Sequence, residues 1–123
     1  MASIIIMTGP KEGDYYPLGH RTNVIGRDEA LLIQILDDRV SRKHMKIRYD
    51  KDKDEHYAVD MDSKHGTLIN GMKISYETVL KNEDCITIGK TSLLFITKDF
   101  ADRESALSHF KKVGERILPT IME

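Results

Sequence analysis

The sequence lacks several features that would point to particular classes of protein. It has one cysteine, Cys85, among 123 residues, which excludes an internal disulfide and a cysteine-based zinc site. No apolar run is long enough to span a bilayer, and the run Ile4–Met7 falls far short of that length. No signal-peptide pattern opens the chain. We therefore expect a cytoplasmic protein that does not enter a membrane.

A surplus of basic residues is also missing. Lysine and arginine total 19 and aspartate and glutamate total 20, which gives a formal net charge of -1. A general nucleic-acid binder would usually carry a basic excess, so nucleic acid is not an expected partner. A near-neutral chain can still hold a small basic pocket for one anion.

Metal-binding patterns are absent as well. The acidic run Asp50–Asp54 looks like the start of a calcium loop, but that loop needs glycine at its sixth position and glutamate at its twelfth. The chain has Glu55 and Met61 at those positions. The five histidines show no His-Glu-x-x-His spacing. We predict a solvated hairpin tip at Asp50–Asp54, and neither a metal nor a cofactor.

Short apolar runs separated by turn residues fill the chain from Ser3 to Ile96. Asn70-Gly71 between two such runs is the strongest hairpin signal. Many short strands at this spacing predict an all-β fold, an antiparallel sandwich or barrel. The predicted strands are Ile4–Met7, Tyr15–Leu18, Asn23–Ile25, Leu31–Leu36, His44–Tyr49, Tyr57–Met61, Thr67–Ile69, Met72–Ile74, Val79–Leu80, Cys85–Ile88 and Leu93–Ile96.

The hydrophobic period changes after Ile96 to steps of three and four residues, which is typical of one face of a helix. We therefore divide the chain into a domain at 1–98 and a C-terminal amphipathic helix or linker at 99–123. Two roles for this helix stay open: packing back onto the sandwich, or joining a second copy or a further domain. The apolar positions are Leu107, Phe110, Val113, Ile117 and Ile121.

Hydrogen-bonding residues cluster between strands rather than on one helical face. Arg27 offers a planar guanidinium that matches phosphate oxygens with two parallel bonds. Ser41 offers a hydroxyl and a backbone N–H at the start of a loop. A set of such donors with no nucleophile–base pair suits binding an anion better than transforming one. The pattern indicates a recognition module for phosphate.

At these positions the chain resembles the forkhead-associated (FHA) domain family. Gly26-Arg27, Ser41–His44 and Gly66–Gly71 match its three signature blocks in order and with similar spacing. The segment Leu80–Gly89 matches the tail of the family pattern. The resemblance covers roughly residues 3–97. It implies a β-sandwich of about eleven strands whose loops at one end bind phosphothreonine peptides.

The resemblance also implies which residues contact the ligand. Arg27 and Ser41 would hold the phosphate, and Arg42 would lie beside it. Lys64 and His65 would face the phosphate and the peptide chain. Many family members have asparagine where this chain has His65. The family's small pocket for the threonine methyl group further implies a preference for phosphothreonine over phosphoserine.

Four other residues are expected to shape the site. The resemblance implies that His44 braces its loop from within and that Asn70 fixes either the loop or the peptide. Gly26 is expected to let the backbone take an unusual turn into the loop. Gly66 belongs to the same structural support.

The expected function is that of a non-catalytic signalling module. Its partner would be a threonine-phosphorylated protein or peptide, a Ser/Thr kinase or a kinase substrate. The main alternative is a scaffold of the same fold that dimerises or connects domains through the C-terminal helix, with a weak or lost phosphate site. An enzyme is the least favoured reading, because a cysteine nucleophile motif and a clustered carboxylate–metal pattern are both missing.

Overall fold

The fold is built from short strands in which apolar residues that face the core alternate with residues that face outward. The computed structural model describes residues 2–97. Eleven strands run through this part of the chain, as the turn spacing predicted. They are β1 (Ser3–Ile6), β2 (Tyr15–Pro17), β3 (Asn23–Gly26), β4 (Ile33–Gln34), β5 (Met45–Asp50), β6 (Glu55–Asp60), β7 (Thr67–Ile69), β8 (Met72–Lys73), β9 (Thr78–Val79), β10 (Asp84–Ile88) and β11 (Thr91–Ile96).

The strands form two sheets. One has six strands in the order β2-β1-β11-β10-β7-β8, and the other has five in the order β4-β3-β5-β6-β9. Inward residues of both sheets, such as Ile4 and Phe95 from one and Ile25 and Ile47 from the other, share one buried core. The all-β prediction is therefore confirmed. The predicted helix within 99–123 lies outside the described residues.

One pairing differs from the fully antiparallel arrangement that we predicted. β4 runs parallel to β3, with Ile25 opposite Ile33 and Gly26 opposite Gln34. β4 also has two residues, although the alternation at 31–36 predicted a longer strand. The pairing continues for one bond beyond β4, where the Ile35 N–H donates to the Gly26 carbonyl at 2.7 Å.

The Asn70-Gly71 hairpin forms as predicted. Leu68 pairs with Lys73 and Ile69 with Met72, which leaves two residues in the turn. Both turn residues have positive φ, 51° for Asn70 and 84° for Gly71. This conformation matches the twist of the flanking strands and favours asparagine followed by glycine.

Three connections meet at one end of the sandwich. They are the 27–32 loop after β3, the 35–44 loop between β4 and β5, and the 61–66 loop between β6 and β7. We call them together the loop end. No helix long and apolar enough to cross a membrane occurs within residues 2–97.

Candidate functional site

The loop end brings five sequence-predicted ligand contacts together around Ser41. The Arg27 N–H donates to the Ser41 carbonyl at 3.0 Å. From the opposite side, the Lys64 N–H donates to Ser41 Oγ at 3.2 Å. Arg42 and His65 directly follow Ser41 and Lys64 in the chain. Ser41 thus joins all three loops, and its hydroxyl keeps a proton to donate to a ligand.

The Arg27 side chain is held at one edge and free at the other. Its Nε donates to the Val40 carbonyl at 3.0 Å. Its terminal nitrogens have no hydrogen-bond partner among residues 2–97, and the residue is exposed. A guanidinium is planar, so fixing Nε also fixes the direction in which the terminal N–H groups point. The geometry leaves those groups ready to form the paired bonds that a phosphate accepts.

Gly26 is required by space rather than by backbone conformation. A Cβ atom at this position would lie 2.0 Å from the Arg42 carbonyl oxygen and 2.9 Å from that of Ser41. The φ of Gly26 is not in the left-handed region, so the unusual turn expected from the sequence is not what selects glycine here. The missing side chain lets the 35–44 loop pack directly onto the end of β3.

His44 connects two of the loops from inside. Its side chain is fully buried. Nδ1 accepts the Ser41 N–H at 3.0 Å, and Nε2 lies 2.7 Å from the Gly66 carbonyl oxygen. Because Nδ1 accepts, Nε2 carries the proton and donates to Gly66. One tautomer therefore satisfies both contacts and ties the 35–44 loop to the 61–66 loop.

The same contacts separate this site from a catalytic Ser–His pair. A general base must face the hydroxyl of the nucleophile. Here His44 faces the backbone N–H of Ser41, and its other nitrogen is occupied by Gly66. The Ser41 hydroxyl instead accepts a backbone N–H from Lys64. The imidazole is thus placed to position the serine and not to deprotonate it.

A carboxylate network supports the 61–66 loop, and no motif in the sequence indicated it. Asp60 accepts from the Ser63 N–H at 3.0 Å, from Ser63 Oγ at 2.5 Å and from Thr67 Oγ1 at 2.7 Å. Ser63 Oγ in turn accepts the Gly66 N–H at 2.9 Å. The available signal was the three-residue spacing from Asp60 to Ser63, which is common where an aspartate caps a turn.

These contacts set the charge state of Asp60. Burial alone would raise the pKa of its carboxyl group. Hydrogen bonds from Ser63 and Thr67, with a smaller effect of nearby His44, outweigh burial, and the pKa is lowered. Asp60 therefore keeps its negative charge, which the hydrogen bonds from the loop need.

A second carboxylate anchors the 35–44 loop to the other sheet. Asp37 Oδ2 accepts from the Lys90 N–H at 2.7 Å and from Thr91 Oγ1 at 2.8 Å, while Oδ1 accepts the Arg39 N–H at 2.9 Å. Burial would raise the pKa of Asp37, but these hydrogen bonds lower it overall. The loop that presents Ser41 is thus fixed near both of its ends.

The exposed surface of the loop end is rich in cations. Arg42, Lys64 and His65 are exposed, and their side chains have no hydrogen-bond or ion-pair partner among residues 2–97. Arg27 and Arg42 also line an open cleft of about 590 Å³. Its remaining lining residues are Asp28, Glu29, Gln34, Leu36, Asp37 and Asp38. The cleft is thus lined by two arginines and four carboxylates.

Asn70 is engaged elsewhere. Its Nδ2 donates to Asp84 Oδ1 at 2.9 Å, and its Oδ1 accepts the Cys85 N–H at 2.9 Å. These bonds join the β7–β8 turn to the start of β10. Both polar atoms of the side chain thus have partners within the sandwich, which favours the structural alternative that we weighed for Asn70.

The described part of the chain holds no group of three or more histidine, cysteine, aspartate or glutamate side chains that would suit a metal ion. The donors that the loop end presents outward are cationic or neutral. Cations and N–H or O–H groups attract an anion, so these donors are suited to binding one.

Comparisons of the sequence with a family model and with known proteins agree on one family. Residues 23–89 match the model of the FHA domain. The oxoglutarate dehydrogenase inhibitor of Corynebacterium jeikeium is 34% identical over 95 residues, covering 77% of this chain and 64% of that protein. The glycogen accumulation regulator GarA of Mycolicibacterium smegmatis is 33% identical over 101 residues, covering 82% of this chain and 62% of that protein. The chain spans less than two thirds of the length of these relatives.

A solved structure of an FHA domain has a fold similar to that of this chain. A domain studied for phosphothreonine-dependent FHA domain interactions superposes with a TM-score of 0.71 at 25% identity. The superposition covers 80% of this chain and 98% of that domain.

Proposed function

The chain belongs to the FHA domain family, and from this premise we propose that it is a non-catalytic module that binds threonine-phosphorylated proteins through its loop end. The observation that carries the proposal is the set of donors around Ser41. A half-fixed guanidinium, a free hydroxyl proton and the side chains of Arg42, Lys64 and His65, which have no partner among residues 2–97, lie at the loop end of a chain whose net charge is -1. Such a set of donors is suited to a dianionic group.

In this proposal Arg27 and Ser41 bind the phosphate directly. A phosphothreonine carries about -1.5 to -2 charge near pH 7 and three acceptor oxygens. The terminal nitrogens of Arg27 would donate to two of those oxygens, and Ser41 Oγ would donate to one. Each charge-assisted bond contributes about 1.5–3 kcal/mol.

The remaining cations would form the rim of the site. The Arg27 side chain is fixed at Nε by the Val40 carbonyl, whereas Arg42, Lys64 and His65 would have to be ordered when the ligand binds, so each contributes less than Arg27. We propose that Lys64 and His65 contact the phosphate and the peptide backbone. Gly26, His44 and Gly66 would hold the loops in place, and Asn70 would fix the hairpin beside them.

We further propose that the partner is a Ser/Thr kinase or one of its substrates. The GarA relative is a regulator by name, and the corynebacterial relative is an inhibitor by name, which supports a regulatory role for this chain. A cytoplasmic location is part of the proposal, because ATP-dependent phosphorylation supplies the ligand there. The domain at 1–98 would carry the binding function.

The test uses the full chain and an oriented library of phosphothreonine peptides. The best sequence is then titrated in three forms: phosphothreonine, phosphoserine and unmodified threonine. We expect the phosphothreonine form to bind most tightly, the phosphoserine form more weakly, and the unmodified form at least a hundredfold more weakly. Equal binding of the phosphorylated and unmodified peptides would overturn the proposal.

A further inference from the structure

The outer face of the six-stranded sheet carries a second hydrophobic cluster. Ile5 and Met7 from the β1 segment lie beside Leu94 and Ile96 from β11, and we call these four residues the outer cluster. Tyr15 and Cys85 pack at its edge. It is separate from the core between the sheets, to which the neighbouring Ile4, Leu93 and Phe95 belong.

The outer cluster is buried although it lies on the outside of a two-layer fold. Successive residues of a strand point to opposite faces, so a face turned away from the core normally meets water. Here Ile5, Leu94 and Ile96 are 0% exposed and Met7 is 2% exposed. The hydrophobic residues that pack there all come from this one sheet, and the five-stranded sheet contributes none of them. Among residues 2–97, no hydrophobic residue of the five-stranded sheet therefore accounts for this burial.

We propose that residues 102–118 of the same chain, which end before the helix-breaking Pro119, cover the outer cluster as an amphipathic helix. The apolar positions of this segment recur at helical spacing, which gives one apolar stripe (Leu107, Phe110, Val113 and Ile117). An apolar stripe and an apolar sheet face are complementary, since each needs a partner to leave water. The inference does not depend on the phosphate site.

Dimensions support this occupant. The stripe from Leu107 to Ile117 would be about 15 Å long at a rise of about 1.5 Å per residue. The four strands that carry the cluster and its edge, β2, β1, β11 and β10, span about 14 Å at a spacing of about 4.8 Å. One helix of this length therefore crosses the whole apolar patch.

Connectivity favours the same chain over a second copy. β11 ends at Ile96, which is itself part of the outer cluster, and the segment begins about six residues later. A short flexible connection gives an effective concentration in the millimolar range, above the concentration of a second chain in most solutions. The covering helix also leaves the loop end free, because none of the outer-cluster residues belongs to its three loops.

The first test is a nuclear Overhauser measurement on the full wild-type chain. A sample that mixes isotopically labelled and unlabelled chains separates contacts within one chain from contacts between chains. We expect intrachain contacts from the Phe110 ring to methyl groups of Leu94 and Ile96. Absence of these contacts would overturn the proposal, and so would their appearance between chains only, which would identify a second copy as the cover.

The second test uses Cys85, the sole cysteine of the chain, as a reporter. Its thiol is half-buried at the edge of the outer cluster, and burial raises its pKa. Two aspartates on the apolar stripe, Phe110→Asp with Val113→Asp, should release the helix and increase the rate of Cys85 modification by 5,5′-dithiobis(2-nitrobenzoic acid) at least tenfold.

The matched control adds the same charge to the opposite helical face, with Ser105→Asp and Ser108→Asp. This control should leave the modification rate within twofold of wild type. Equal rates in wild type and in the stripe variant would overturn the proposal. Circular dichroism of the stripe variant establishes that the sheets are intact, and the wild-type measurement above decides the question if they are not.

Discussion

The loop end has two parts that differ in almost every physical respect. The inner frame consists of the buried His44 and Thr67 and the half-buried Asp60 and Ser63, whose polar atoms bond to one another or to the backbone. The exposed rim consists of Arg27, Arg42, Lys64 and His65, which project toward solvent. The polar atoms of the frame have hydrogen-bond partners within the chain, whereas the rim side chains keep N–H groups that have no partner among residues 2–97. We infer that the frame determines stability and the rim determines affinity.

We expect the largest change in the free energy of unfolding from His44→Leu in the frame. Leucine leaves the Ser41 N–H and the Gly66 carbonyl without partners, and each unsatisfied buried group costs about 1–3 kcal/mol. The free energy of unfolding should therefore fall by roughly 2–6 kcal/mol. Urea denaturation measures this change.

The neighbouring exposed residue provides the control for His44. Lys43→Leu should change the free energy of unfolding by less than about 0.5 kcal/mol, as for most surface substitutions. If His44→Leu were as stable as Lys43→Leu, the division into a stabilising frame and a binding rim would be wrong.

Arg27→Ala should produce the largest effect in the rim. Loss of the paired bonds to phosphate should weaken binding of a phosphothreonine peptide roughly ten- to a hundredfold. The free energy of unfolding should change by no more than about 1.5 kcal/mol, because the side-chain bond lost among residues 2–97 is the one to Val40. Calorimetric titration and urea denaturation of the same preparation separate the two quantities.

Arg21 is the matched control for Arg27. It is exposed and precedes β3, whereas Arg27 follows that strand, so the two arginines lie at opposite ends of the sandwich. Arg21→Ala should leave peptide affinity within twofold of wild type. A comparable loss in both variants would indicate nonspecific attraction between charges rather than a phosphate site.

The frame also predicts a dependence of stability on pH. The pKa of Asp60 is lowered in the fold from its ordinary value of 3.8. Its contribution is therefore present above pH 3.8 and is lost as the pH falls below that value through the folded pKa. In Asp60→Asn, stability at neutral pH should fall by about 1–2 kcal/mol, and part of the acid-induced loss should disappear. Unfolding curves between pH 2 and 7 would refute this if wild type and variant had the same pH profile.

We expect the smallest change in affinity for a phosphothreonine peptide from Lys64→Ala. An exposed lysine near a phosphate contributes little, so affinity should fall about two- to fivefold at low salt. Raising the ionic strength should shrink the difference, because screening weakens attraction between exposed charges. Titrations at several salt concentrations measure it, and an effect as large as that of Arg27→Ala would place Lys64 in direct, desolvated contact with the ligand.

Most of the fold was predictable because its signals are local. Alternating apolar residues and turn residues predicted all eleven strands, and Asn70-Gly71 predicted the β7–β8 hairpin. The parallel pairing of β4 was not predictable, since two residues carry no pattern that distinguishes direction. Strand direction there depends on how Gly26 and Ile35 meet in three dimensions.

The site divides in the same way. Arg27 and Ser41 lie in sequence blocks that resemble the family's signature, and Lys64 lies just before such a block, so the resemblance implied their grouping before the fold was known. The role of Asp60 could not be predicted, because a single aspartate at a strand end has the same appearance in the sequence whether it is solvated or holds a loop. The reason for Gly26 was also hidden, since the atom that it must avoid belongs to Arg42, sixteen residues further along the chain.

The lengths of the outermost strands have a consequence for how this domain meets other proteins. The strands at the four sheet edges, β2, β8, β4 and β9, have three, two, two and two residues in the described part of the chain. A partner strand needs a row of unpaired backbone groups to add itself to a sheet, and edges this short offer almost none. The domain is thereby protected from edge-to-edge aggregation. Recognition by added strands is disfavoured for the same reason, which leaves side chains on loops as the means of reading a partner.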